Sequence, residues 1–223
     1  MSLDPSLRRG ARAPVRPWGG ITVVAAGGSS AVAELGHEVY DRPPGAFDAG
    51  VRAWALAHRT PGLLVVFEWI SRLGAPAVTS ALAVLVALWL WRAGRRNGAA
   101  VLVAAPLLTV VVFNAVKQIV HRARPEGRLL LREVTFSFPS GHAAVSAAVF
   151  GTLAWVLARE GKLPRGAAVL LAVVPPLLIG LSRVYLNVHW GTDVLAGWCL
   201  GAAVAALAGG VYDSARRRRA TAL

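Results

Sequence analysis

The 223-residue sequence is poor in cysteine, and this closes off several chemistries at once. Cys199 is the single cysteine, so no disulfide can form within the chain and no Cys–His cluster can hold zinc. It sits in a run of small apolar residues and reads as a packed core side chain. Acidic residues are also scarce, 11 Asp and Glu against 24 Lys and Arg, which leaves a formal net charge of +13. Such an excess raises nucleic-acid binding as a possibility. The basic residues, however, stand at the ends of apolar runs rather than along one soluble face, so a nucleic-acid partner is disfavoured. They fit retention on the cytoplasmic side of a membrane and attraction to anionic lipid.

What is abundant is apolar. Hydrophobic residues make up 56% of the chain and the mean hydropathy is +0.55, beyond the range of ordinary soluble domains. The predicted fold is all-α, a six-span transmembrane helix bundle with short interfacial helices. Residues 1–17, with Arg8, Arg9, Arg12 and Arg16, read as a disordered basic lead. Residues 18–213 form the six-span domain, and residues 214–223, with Arg216 to Arg219, form a basic cytoplasmic tail.

The predicted spans run from Trp18 to about Leu35, Ala75 to Trp91, Ala99 to Val120, Ala143 to Ala158, Ala167 to about Tyr185, and Asp193 to Tyr212. The first is the weakest, rich in Gly and Ala and only moderately apolar. Its basic lead and Ala31-Val32-Ala33 also fit a cleaved signal peptide. The further spans that follow favour a retained helix. Phe47, Val51 and Trp54 recur at helical spacing beside Asp48 and Arg52, as in an amphipathic helix lying at the interface. Leu63 to Leu73, with Glu68 and Arg72 four apart, leads into the second span. Pro106 and Pro175-Pro176 interrupt spans, which is tolerable where neighbours satisfy the freed carbonyls. Gly197, Gly201, Gly209 and Gly210 allow close packing of the last span.

Six spans put both termini on one side. The basic loops at Arg92–Arg96 and Arg159–Arg165 and the Arg-rich tail fall on that side too, which the positive-inside rule makes cytoplasmic. The 121–140 loop then lies outside. It carries His121, Arg122, Arg124, Arg128 and Arg132 against the rule, so these charges have another use. His121 and Arg122 are candidates for contact with a second phosphate or a headgroup, or are solvated loop charges. Leu129-Leu130-Leu131 either dips into the outer leaflet or packs on the bundle. His37 and His58 read as surface residues.

Three segments carry chemistry. Lys117 and Arg124 are seven apart, two turns if helical, and bring two cations to the outer end of the third span. Snorkelling would account for either one alone. Pro139-Ser140-Gly141-His142 opens the fourth span: Ser140 suits an N-cap, the helix start favours an anion, and Gly141 lets backbone approach it. Arg183 offers a guanidinium fork for phosphate oxygens, and the His189 and Asp193 pair, four apart, can orient an imidazole, whether on one helical face or with His189 folding back from a loop.

The order Lys117, six residues, Arg124-Pro125, then Pro139-Ser140-Gly141-His142, then Ser182-Arg183, five residues, His189, three residues, Asp193 resembles the three-part signature of the type-2 phosphatidic acid phosphatase superfamily, which also includes vanadium haloperoxidases. Every signature position matches, and the resemblance is close over roughly residues 115–195. It implies a phosphatase in which His189 is the nucleophile, Asp193 orients it, and His142 is the general acid and base. Lys117, Arg124, Ser140, Gly141 and Arg183 would bind the phosphate. It implies no metal and no cofactor, and the lack of an Asp/Glu cluster near these residues agrees. The expected partners are membrane lipids and a lipid phosphate substrate, met at the outer face of a bacterial cytoplasmic membrane. Undecaprenyl diphosphate leads, with phosphatidic acid and phosphatidylglycerophosphate as close competitors. A lipid-phosphate binder or transporter would need the cations but not the two histidines.

Overall fold

The computed structural model describes residues 18–40, 42–127 and 135–220. The basic lead 1–17 and the Leu129-Leu130-Leu131 segment lie outside the described residues, as do Arg128 and Arg132. The regular elements among those described are all helices: α1 (Trp18–Val39), α2 (Ala46–Ala57), α3 (Pro61–Leu73), α4 (Pro76–Arg92), α5 (Arg96–Val120), α6 (Gly141–Arg159), α7 (Arg165–Tyr185) and α8 (Gly191–Ala220).

Local chemistry sets the boundaries. Thr60 caps α3, its Oγ1 accepting from Leu63 N at 3.3 Å with Pro61 at the first helical position. α5 ends where His121 turns left-handed at φ 50°, a helix-terminating conformation. α7 runs unbroken through Pro175-Pro176, and Trp198 Nε1 donates to Pro176 O at 2.9 Å. The proline pair therefore does not break the helix. α8 continues past the expected end at Tyr212 and carries the basic tail as helix to Ala220.

Among the described residues four helices are long and apolar enough to cross a membrane: α5, α6, α7 and α8. The count reaches five if α3 and α4, bent by 49° at Gly74-Ala75, form one broken span. The count of six is not confirmed by length and composition, because α1 is diluted by Gly27, Gly28, Ser29, Ser30, Glu34 and Glu38. α1 nevertheless lies along α8. A Cβ on Gly28 would stand 2.7 Å from Cys199 O, so the two backbones touch there.

α6 is the axis of the bundle, buried on nearly every side. α8 packs on it through Gly197 and Gly201, one turn apart. A Cβ at Gly201 would meet Ala144 O at 2.3 Å, and one at Gly197 would meet Ser140 O at 2.7 Å. Small residues at this spacing let two membrane helices approach to backbone contact. The outward faces carry Leu85, Leu107, Val111 and Leu170, all more than 60% exposed, as a lipid-facing surface requires.

α5 and α7 rise toward one end and α6 and α8 descend from it. The far end gathers the basic loops. There Glu160 accepts from Arg95 and from Tyr212, and Arg159 Nη2 pairs with Asp213 Oδ2 at 2.8 Å. The near end gathers the end of α5, the starts of α6 and α8, and the amphipathic α2. On α2 Phe47 and Trp54 are exposed, as on an interfacial amphipathic helix, while Asp48 is buried at 2% exposure.

Candidate active site

All three chemical segments meet at the near end. Lys117, in the last turn of α5, is buried and its Nζ donates to Phe136 O. Arg124 does not share a helical face with it, since α5 has already ended. The loop folds back so that Arg124 Nη2 donates to the same Phe136 carbonyl at 3.3 Å. Its Nε donates to Thr135 O at 2.8 Å and its Nη1 to Val188 O at 2.7 Å. The expected convergence of the two cations holds, but the loop produces it.

Ser140 occupies the N-cap position of α6 without capping it. Its N–H donates to Asp193 O at 2.9 Å, tying the segment to α8. Its hydroxyl is fully buried with no hydrogen-bond partner. A buried polar atom in that state is an exception that calls for an explanation, such as a ligand. Gly141 has a packing reason besides anion approach, since a Cβ there would come within 3.1 Å of the Phe113 ring. His142, partly exposed in the first turn, lies within electrostatic reach of Arg183, His189, Arg124 and Lys117. Arg183, fully buried at the end of α7, donates through Nη1 to Ser71 Oγ of α3 at 2.5 Å.

His189 sits in the turn before α8, so the His189–Asp193 contact is made from the loop. Nδ1 stands 3.3 Å from Asp193 Oδ2. That carboxylate also accepts from Ser137 Oγ at 2.7 Å, Trp190 N at 2.9 Å and Arg122 Nη1 at 2.6 Å. A carboxylate so surrounded by donors is an acceptor only, which assigns the imidazole proton to Nδ1. Nε2 is then a lone pair, 3.0 Å from Arg124 Nη1. Burial first, then the charges of Arg124, Arg183 and Lys117, hold the His189 imidazole well below its ordinary pKa, so it is neutral at pH 7.

The sequence reading missed Asp48. Arg122 is buried rather than a solvated loop charge: Nη2 pairs with Asp48 Oδ2 at 2.5 Å while Nη1 holds Asp193 and Thr192 Oγ1. Asp48 also accepts from Thr192 N at 2.9 Å and Thr192 Oγ1 at 2.7 Å. Its signal in the sequence is one carboxylate beside Phe47 on α2, legible only once that side of the helix is known to be inward. His121 is exposed, its ring edge-on to Phe136 at 4.4 Å. Among the described residues no three of His, Cys, Asp and Glu converge as metal ligands.

Residues 98–217, more than half of the chain, match the PAP2 superfamily. The chain belongs to that family. Phosphatidylglycerophosphatase B of Bacillus subtilis is 33% identical over 178 residues, 77% of this chain and 86% of its own length. Decaprenylphosphoryl-5-phosphoribose phosphatase of Mycobacterium tuberculosis is 32% identical over 164 residues, 71% and 86% of the two chains. The crystal structure of a transmembrane PAP2-type phosphatidylglycerolphosphate phosphatase from Bacillus subtilis superposes with a TM-score of 0.78 at 27% identity, covering 86% of this chain and 97% of that one. This PAP2 protein is an integral membrane phosphatase.

Proposed function

We propose that this PAP2 phosphatase hydrolyses a lipid phosphate through a phosphohistidine on His189. The observation that carries the reading is the imidazole itself: Nδ1 held by buried Asp193, Nε2 left as a lone pair beside Arg124. His189 Nε2 attacks phosphorus as the bond to the lipid oxygen breaks, and His142 gives that oxygen its proton. His142 then takes a proton from water, whose oxygen attacks phosphorus and breaks the P–N bond, releasing phosphate. Lys117, Arg124, Arg183, the Ser140 hydroxyl and the Gly141 amide hold the non-bridging oxygens as charge shifts between them.

A groove of about 490 Å³ supports a lipid substrate. It lies between α1 and α5, lined by Val32, Gly36, Tyr40, Val112, Val116 and Val120. Its wall residue Gly36 packs on Phe138, two residues before Ser140. Six spans, with α1 retained and α3–α4 acting as one, put the arginine-rich end in the cytoplasm and the site on the outer face of a bacterial cytoplasmic membrane.

Phosphatidylglycerophosphate is the leading substrate, because the relatives named above that cover most of the chain include phosphatases named for it. Undecaprenyl diphosphate is the second, supported by the polyprenyl substrate in the name of the mycobacterial relative. Phosphate release in detergent with EDTA, by wild type and His189→Ala, tests both. Release lost in the variant supports the mechanism, and the ratio of kcat/KM for the two lipids decides the substrate. A His189→Ala protein that still releases phosphate refutes it.

A further inference from the structure

Beside the nucleophile, on the outward side of the same loop, is a cavity of about 410 Å³ that the proposed chemistry does not use. Arg42, Arg52, Arg122 and Arg124 line it, with Glu126 and Trp190. Its inner wall is built. Trp190 Nε1 donates to Ala123 O at 3.0 Å, and its ring lies under Arg122 and Arg52, 5.5 and 6.0 Å away. Arg52 fixes the loop through Glu126 O at 3.1 Å and Asn187 Oδ1 at 2.9 Å, and Asn187 Nδ2 donates to Glu126 O at 2.6 Å. Arg124 belongs to both spaces: its Nη1 touches His189 Nε2, and it lines the cavity. An anion in the cavity is therefore adjacent to a phosphate under attack.

We infer that this cavity is a second anion subsite, taking a further phosphate or other anionic group carried by the same lipid whose terminal phosphate meets His189. This rests on the proposed function and sharpens its substrate class to lipids with two anionic groups. Arg42, exposed on the α1–α2 connection and outside the catalytic machinery, is its adjustable wall. An arginine there offers a charge-assisted, bidentate contact to a phosphate.

The test compares phosphatidylglycerophosphate, with two phosphates, against phosphatidic acid, with one, for wild type, Arg42→Gln and Arg42→Glu. Loss of one charge-assisted contact raises KM for the first lipid by about tenfold and leaves KM for the second within about twofold, with kcat unchanged. Equal effects on both lipids, or none, overturn the subsite. Inorganic phosphate from solution is the other source of the same chemistry. Its inhibition constant against phosphatidic acid is expected to be the same in wild type and Arg42→Gln, and a weakened constant overturns the substrate-borne assignment. Direct binding of the two lipids to His189→Ala in mixed micelles separates this inference from the catalytic one. The affinity ratio must narrow when Arg42→Gln is added. A ratio that does not narrow sinks the subsite whatever the turnover. A ratio that narrows in a protein whose wild type never releases phosphate sustains the subsite and sinks the catalytic reading alone.

Discussion

Asp48→Ala should damage both stability and turnover, although Asp48 lies on an interfacial helix and never touches substrate in the proposed mechanism. The side chain is 2% exposed, and its partner Arg122 is 6% exposed. Removing one member of a buried ion pair costs about 3–5 kcal/mol, because the other charge is left without its counterion. Arg122 retains Asp193 at 2.6 Å, which brings the expectation down to about 2–4 kcal/mol, including the loss of Thr192 N and Oγ1 as donors to Asp48. For a chain of this length that is roughly 5–15 °C in melting temperature, read in detergent by intrinsic fluorescence. The second effect travels through Arg122 to Asp193 and so to the His189 ring. Partners that orient a reactive ligand from one shell out are worth about 10–100-fold, so kcat should fall by that much with KM little changed. The double variant Asp48→Leu, Arg122→Met also strips buried Asp193 of its arginine partner, so it should recover neither the stability nor the turnover. An Asp48→Ala protein that melts with wild type and keeps kcat within about twofold would refute the chain of contacts.

The other predictions concern packing, proton transfer and pH. Gly201→Ala drives a methyl into the Ala144 carbonyl at 2.3 Å and should lower stability by about 1–3 kcal/mol, whereas Gly27→Ala, with nothing within 4 Å, should not; thermal melts of the two decide it. His142→Ala should cut turnover of a lipid phosphate by about 10²–10⁴-fold but cost far less with p-nitrophenyl phosphate, whose leaving group needs no proton; equal losses would argue against a leaving-group acid. Because the folded His189 pKa is depressed, the unfolded chain binds the extra proton as pH falls below about 6.5, so stability declines on acidification from there down to the folded pKa, at up to about 1.4 kcal/mol per pH unit. Denaturant midpoints from pH 8 to pH 5 should show this slope in wild type and a smaller one in His189→Asn. Because the nucleophile's pKa is depressed, the acid limb of kcat/KM should not follow an ordinary histidine near 6.5; a limb there that persists in His142→Gln would contradict the depressed pKa.

The sequence by itself determined the all-helical membrane class and the three segments that meet at one end. Apolar runs of span length admit little but helices, because lipid offers nothing to bond an open backbone. The Lys117 to Asp193 spacings matched a family signature directly. It also disclosed the glycine spacing of α8, since Gly197 and Gly201 can only serve close approach if they share a face. Span count was less legible, because α1 mixes Gly, Ser and Glu into its run and α3 and α4 divide one crossing at a bend. Only the tertiary structure decided what the charges do. Arg124 joins Lys117 through a folded loop at the Phe136 carbonyl, a contact that no helical periodicity encodes. Ser140 withholds its hydroxyl from the helix it begins. Asp48 and Arg122 are 74 residues apart and become a pair only when α2 turns its polar face inward. Periodicity reports which face of an element is apolar, but not whether lipid or protein lies against it. In a membrane the apolar face can point outward, and there the buried charges identify their partners only once the helices have packed.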